Sequence, residues 1–100
     1  MRISLFLGAV LACLPLSGFA QANSVARSLA ATCANCHGTE GRSATRDVLP
    51  LAGLPKEHIV SQMKVFKDGT RQATVMHQLA KGYTDQQIDQ IAAYFAAQRK

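Results

Sequence analysis

Five consecutive residues, Cys33-Ala34-Asn35-Cys36-His37, constrain this chain more than any other feature of its 100 residues. Two thiols three positions apart with an imidazole directly after them can form a metal clip, a redox dithiol or an anchor for a covalently held haem. Each of these demands a different fold around it.

The stretch ahead of the motif reads as a secretory signal peptide. Arg2 gives a positive start, Ile3 to Leu16 is an almost unbroken apolar run, and Ala20-Gln21-Ala22 is an A-x-A cleavage signal. The expected division is therefore residues 1–22 as a cleaved signal peptide and residues 23–100 as one domain, exported to the periplasm. Cys13 falls in the discarded part, which leaves Cys33 and Cys36 as the cysteines of the mature chain. Loss of Arg2 takes Lys+Arg from 11 to 10 against 6 Asp+Glu, a mildly basic balance of about +4. No long basic run and no arginine strip beside aromatics is present, which argues against a nucleic-acid partner. A chain this short buries a small core and usually needs a staple.

The domain reads as all-α. Asn23 to Asn35 has helical spacing at Val25, Leu29 and Thr32-Cys33, with Asn23 or Ser24 as the cap. From His37 to Pro55 there are several glycines and prolines and no period. Such a loop is long for a compact domain and needs something to enclose. Pro55 suits the first position of a second helix carrying Ile59, Val60, Met63 and Phe66 on one face, closed by Gly69. A short helical segment ends near Gly82. The last helix is the clearest: Thr84 and Gln87 form a capping box ahead of Ile88, Ile91, Ala92 and Phe95. That makes three or four helices in all.

On this background the three chemistries separate. A structural zinc needs about four ligands, and beyond the motif only His58 and His77 remain among the histidines. A thioredoxin-like dithiol needs a βαβ context, and nothing here alternates like a strand. Covalent haem attachment requires the C-x-x-C-H pattern itself. Cys33 and Cys36 then form thioethers to one haem, and His37 is the proximal iron ligand. The haem is also the missing staple, and Leu49, Leu51 and Leu54 become residues of its pocket. For the sixth position the candidates are Met63, Met76, His58 and His77. Met63 lies on an apolar helix stripe and reads as core. His58 sits near a helix start beside Lys56 and Glu57 and reads as surface. Met76 lies in the irregular segment where a chain wrapping a haem returns, with His77 as its rival.

The fragments "CANCHGTEGRS", "FKDG", "TVMHQLAKGYTD" and "AAYFAAQ" resemble a class I c-type cytochrome over nearly all of Asn23 to Lys100. More narrowly they resemble the cytochrome subunit of flavocytochrome c sulfide dehydrogenase and single halves of tandem di-haem periplasmic cytochromes. The resemblance implies three to four helices around one haem c. It also implies Met76 as the distal ligand, because the family's methionine stands eight residues before the cap of the last helix, here Thr84. Three departures stand out. The chain has one C-x-x-C-H where many sulfide dehydrogenase subunits have two. Position 49 is Leu where the family has the proline whose carbonyl receives the haem histidine, so Leu49 or Pro50 must supply it. The first mature helix has Ala26 and no glycine where the terminal helices cross.

A His/Met iron with both axial positions filled implies one-electron transfer. By resemblance the chain is the electron-accepting subunit of a sulfide dehydrogenase, with an FAD-containing flavoprotein as partner and no catalysis of its own. The alternative is a free electron shuttle serving an oxidase or reductase, and a third possibility is an enzyme or gas sensor whose sixth position opens. Lys67, Arg71 and Lys81 flank the methionine segment as candidate docking charges. Acid-denatured protein is expected to carry its haem through a denaturing gel. A colourless, zinc-containing protein would refute the haem assignment.

Overall fold

The computed structural model describes residues 17–100 together with Gly8 and Ala12. Five helices are present among them: α1 (Ser17–Ala30), α2 (Ala34–His37), α3 (Lys56–Lys67), α4 (Met76–Lys81) and α5 (Asp85–Ala96). No strand occurs among the described residues. A 3-10 turn, Ala31–Cys33, joins α1 to α2, so the chain runs helically from Ser17 to His37 as one unit. With that unit counted once, the fold has four helical pieces, the all-α class the sequence predicts.

The expected signal peptide lies mostly outside the described residues, but its end, Ser17 to Ala22, belongs to α1. The helix therefore passes through Asn23 and Ser24, which were expected to cap it. A capping residue marks a start only where the preceding chain cannot continue the helix, and Ala20, Gln21 and Ala22 are good helix formers. At its other end the run extends two residues past Asn35 and stops at Gly38, whose φ of 84° and ψ of 165° no helix accommodates. Pro55 likewise sits one position earlier than expected. It caps α3 with ψ at 135°, and its carbonyl receives the N–H of His58 at 3.1 Å and of Ile59 at 3.2 Å.

The remaining helix signals hold. In the capping box, Thr84 Oγ1 accepts from Gln87 N at 3.1 Å and Gln87 Oε1 accepts from Thr84 N at 2.9 Å. Ile88, Ile91, Ala92 and Phe95 are all buried on one stripe of α5. Around them the core adds Ala30, Ile59, Met63 and Ala80. α5 is the hub, with α1 and α3 packed on it and α4 packed on α3. Ala30, 2% exposed, is the small residue that α1 brings into this core.

The long loop between Gly38 and Pro55 is anchored to protein. Gly41 O accepts from Leu51 N at 2.9 Å and from Ala52 N at 3.2 Å, which closes residues 42–50 into a compact excursion. Gly53 N donates to Phe95 O at 2.9 Å and ties the closure to the end of α5. Arg42 Nε adds a bond to Arg99 O at 3.0 Å. Leu51 and Leu54 pack against the protein core, while Leu49 stays 59% exposed. Of the three leucines expected in one pocket, two are half-buried against the core and one is exposed.

Gly41 is the keystone of this closure. Its φ is +80°, and a Cβ there would stand 2.8 Å from both Ala52 N and Phe95 Cδ1. Backbone strain and a clash with a buried ring act together. Gly41→Ala is expected to cost about 2–3 kcal/mol of folding stability. Urea unfolding of the haem-loaded protein followed by helical circular dichroism checks this, and a loss below about 0.5 kcal/mol would refute it.

Candidate functional site

The helical run from α1 to α2 carries the motif. Cys33 ends the 3-10 turn and is half-buried, and Cys36 is exposed three residues on. Residues at that spacing lie on neighbouring positions of one helix face. Both thiols are free. Burial pushes the Cys33 thiol above its ordinary range, and a hydrogen bond with the Thr32 side chain offsets part of that rise.

His37 closes the run, and Gly38 breaks it at once. A Cβ on Gly38 would lie 2.0 Å from Arg42 O, so only glycine lets the loop fold back here. The fold-back brings Leu49 to His37, whose Nδ1 donates to Leu49 O at 2.7 Å. Of the two carbonyls expected for this role, Leu49 supplies it. The bond fixes the tautomer and leaves Nε2 as the free ring nitrogen, the arrangement that orients a metal-binding imidazole.

The four distal candidates separate by position. Met63 is 7% exposed inside the core. His58 is exposed on α3. Met76 and His77 open α4, both half-buried, and Met76 packs against the edge of the core. His77 Nδ1 is buried with no hydrogen-bond partner. The exposed large apolar residues include Leu49 at 59%, Val75 at 48% and Leu79 at 49%. One of these is the residue that holds His37, and the other two bracket Met76 and His77.

The cations flanking the methionine segment behave differently from the surface charges they resemble in sequence. Lys67 Nζ donates to Tyr83 O at 2.6 Å and approaches Asp85 Oδ1 at 3.4 Å. Arg71 lies over the Phe66 ring at 4.8 Å and donates to Gln62 Oε1. Lys81 is exposed. Sequence reasoning missed Tyr83 and Thr32 altogether. Tyr83 Oη and Thr32 Oγ1 stand 2.6 Å apart across 51 residues, a separation no local pattern reveals.

These residues fit a covalently held haem. The thiols are free and share a helix, one imidazole is anchored through a single nitrogen, and exposed apolar side chains adjoin both histidine and methionine. Among the described residues no cluster of three or more His, Cys, Asp or Glu could hold a bare metal ion. A helical domain with a C-x-x-C-H on its first helical unit and a carbonyl-held histidine is a small class I cytochrome c.

Comparison with known proteins agrees. The chain belongs to the cytochrome family described as cytochrome c oxidase, cbb3-type, subunit III, whose model matches residues 20–95. It is 46% identical over 68 residues to the cytochrome subunit of sulfide dehydrogenase from Chlorobaculum tepidum, an alignment covering 67% of this chain and 60% of that protein. It is 38% identical over 89 residues to cytochrome c4 of Pseudomonas aeruginosa, covering 86% of this chain and 44% of the relative. With cytochrome c-554(548) of Halomonas halodenitrificans it shares 36% over 70 residues, 67% of this chain and 84% of the relative. The chain thus spans 60% and 44% of the first two relatives' length. Family membership gives it haem c, one group bound covalently, and electron transfer as its general activity. No described helix is long and apolar enough to cross a membrane.

Proposed function

We propose that this chain, exported to the periplasm after loss of residues 1–22, is the electron-accepting cytochrome subunit of a flavin-containing sulfide dehydrogenase. Cys33 and Cys36 form the two thioethers, His37 is the proximal iron ligand and Met76 the distal one. The observation that carries the site assignment is the His37 Nδ1 bond to Leu49 O at 2.7 Å, which leaves a single ring nitrogen to face the iron. The likeness to the Chlorobaculum tepidum protein, 46% identical over 67% of this chain, supports the partner.

The haem supplies a one-electron iron couple. The protein's part is to hold both axial residues, so that electrons pass without substrate touching the metal. Leu49 O fixes the His37 ring and raises its basicity. Met76, at the first turn of α4, presents a soft sulfur, which favours the reduced state more than a second imidazole would. Met63 has no part in this because its side chain fills the core beside Ile59.

Oxidised protein is expected to show the weak near-infrared charge-transfer band of methionine on ferric haem. Met76→Ala should abolish it and lower the potential, whereas Met63→Leu should leave both nearly unchanged. Loss of the sixth ligand in His77→Ala instead would make the protein bis-histidine and overturn the assignment.

A second reading is a free electron shuttle. It draws on the Halomonas halodenitrificans relative, of which the alignment covers 84%, so that a cytochrome of comparable extent exists as a chain of its own. Purification of the native protein separates the two. The subunit reading expects an FAD-containing flavoprotein to co-purify in equal amount and to reduce the haem when sulfide is added. A cytochrome that elutes alone and is not reduced by that flavoprotein is the shuttle.

A further inference from the structure

The segment that carries Met76 is short and thinly held. α4 spans Met76–Lys81, and Val75 ahead of it offers no side-chain cap. Residues 70–72 and 74–75, which lead into it, are exposed. At its near end Val75 O accepts from Gln78 N at 3.0 Å and Leu79 N at 3.1 Å; at its far end Ala80 is fully buried and Gly82 N donates to Leu79 O at 3.1 Å. Tyr83 comes next and makes two long-range bonds. Its carbonyl receives Lys67 Nζ from the end of α3 at 2.6 Å. Its hydroxyl meets Thr32 Oγ1 at 2.6 Å. Thr32 Oγ1 also stands 3.4 Å from Leu29 O, a carbonyl that can only accept. Both groups are hydroxyls, so either can donate in the 2.6 Å bond between Tyr83 and Thr32.

Thr32 lies in the 3-10 turn that ends in Cys33, where the helical run tightens just before the motif. Tyr83 thus spans the two halves of the site. On one side it grips the turn bearing the first thioether cysteine, and on the other it follows Gly82, the C-cap of the helix that begins with Met76, with its N–H on Ala80 O at 3.3 Å. We infer that Tyr83 is a positioning residue for the distal ligand, holding α4 against the Cys33 turn through Thr32 and so setting how often the Met76 side of the haem opens. This inference rests on the reading of His37 and Met76 as the axial residues.

The opening equilibrium can be read directly. An external ligand such as imidazole binds ferric haem only in molecules whose methionine has left, so its apparent affinity scales with the open fraction. A hydroxyl–hydroxyl bond that exists only in the closed form shifts that fraction by about tenfold at most when removed.

The experiment titrates imidazole into oxidised, haem-loaded wild type, Tyr83→Phe, Thr32→Val and the double variant. Unfolding of each is followed in parallel by helical circular dichroism. Both single variants are expected to bind imidazole about five- to tenfold more tightly, and the double variant no more tightly than either single one. A purely structural role would lower the unfolding midpoint and leave imidazole affinity within twofold of wild type, which overturns the inference. So do single-variant effects that multiply in the double variant, since the two hydroxyls would then act separately. If either tyrosine or threonine variant fails to fold, the other decides on its own affinity. Met76→Ala keeps the two readings apart. Should it bind imidazole no more tightly than a wild type lacking the methionine band, the axial assignment fails and takes the inference with it. A wild type with the band beside an unchanged Tyr83→Phe defeats the inference alone.

Discussion

The bond from His37 Nδ1 to Leu49 O is the contact toward which much of the loop is built. A histidine at a helix end rotates freely unless a second group fixes its far nitrogen, and a freely rotating imidazole is a poor axial ligand. The fixing group here is a backbone carbonyl on an exposed loop, which can be accurate only if the loop itself is held. Gly41 O draws in the N–H groups of Leu51 and Ala52, and Gly53 N is bound by Phe95 O. Phe95 is among the most deeply buried side chains of α5. The placement of one ring nitrogen therefore traces back, bond by bond, to the hydrophobic stripe of the C-terminal helix.

That chain of dependence explains which parts could be read in the sequence. Helical period and capping are local, so α5 with its Thr84–Gln87 box and the core position of Met63 follow from neighbours a few residues apart. The C-x-x-C-H pattern is equally local. Asn23 and Ser24 resemble caps, yet the helix formers before them carry α1 back to Ser17. The loop was legible as a loop but not in its anchoring. Bonds such as Gly53 N to Phe95 O join residues far apart in the chain, and nothing in a glycine's neighbours announces its distant partner. Leu51 and Leu54 illustrate the consequence: their apolar character was plain, but whether they face a cofactor or the protein core depends on that anchoring.

Charge near the site shows the same limit from another side. Lys67, Arg71 and Lys81 look alike as cations flanking the methionine segment. In the fold, Lys67 satisfies the carbonyl of Tyr83, which follows the C-terminal turn of α4, and Arg71 lies on an aromatic ring. A lysine bound to a part-buried carbonyl has given up much of its freedom to meet a partner, and an arginine stacked on phenylalanine has lost part of its own. Lys81 and Arg71 are both exposed, Arg71 with its guanidinium on the ring, and Lys67 is half-buried. A docking surface built from all three would need to break contacts that hold the distal segment together.

The apolar residues beside the site are therefore a better guide to its outer face than the charges. Leu49, Val75 and Leu79 are each about half exposed or more. Large aliphatic side chains left in water signal a surface that something covers. Leu49 supplies the carbonyl to His37, and Val75 directly precedes Met76. A planar apolar group attached at Cys33 and Cys36 and gripped by those two axial residues would lie against these side chains and remove much of that area from water. On the proposed ligand set, the same contact would also order the short α4, whose own hydrogen bonds are few. Burial of the cofactor and rigidity of its distal ligand would then be one event, which is how a domain this small could close an iron site with so little protein around it.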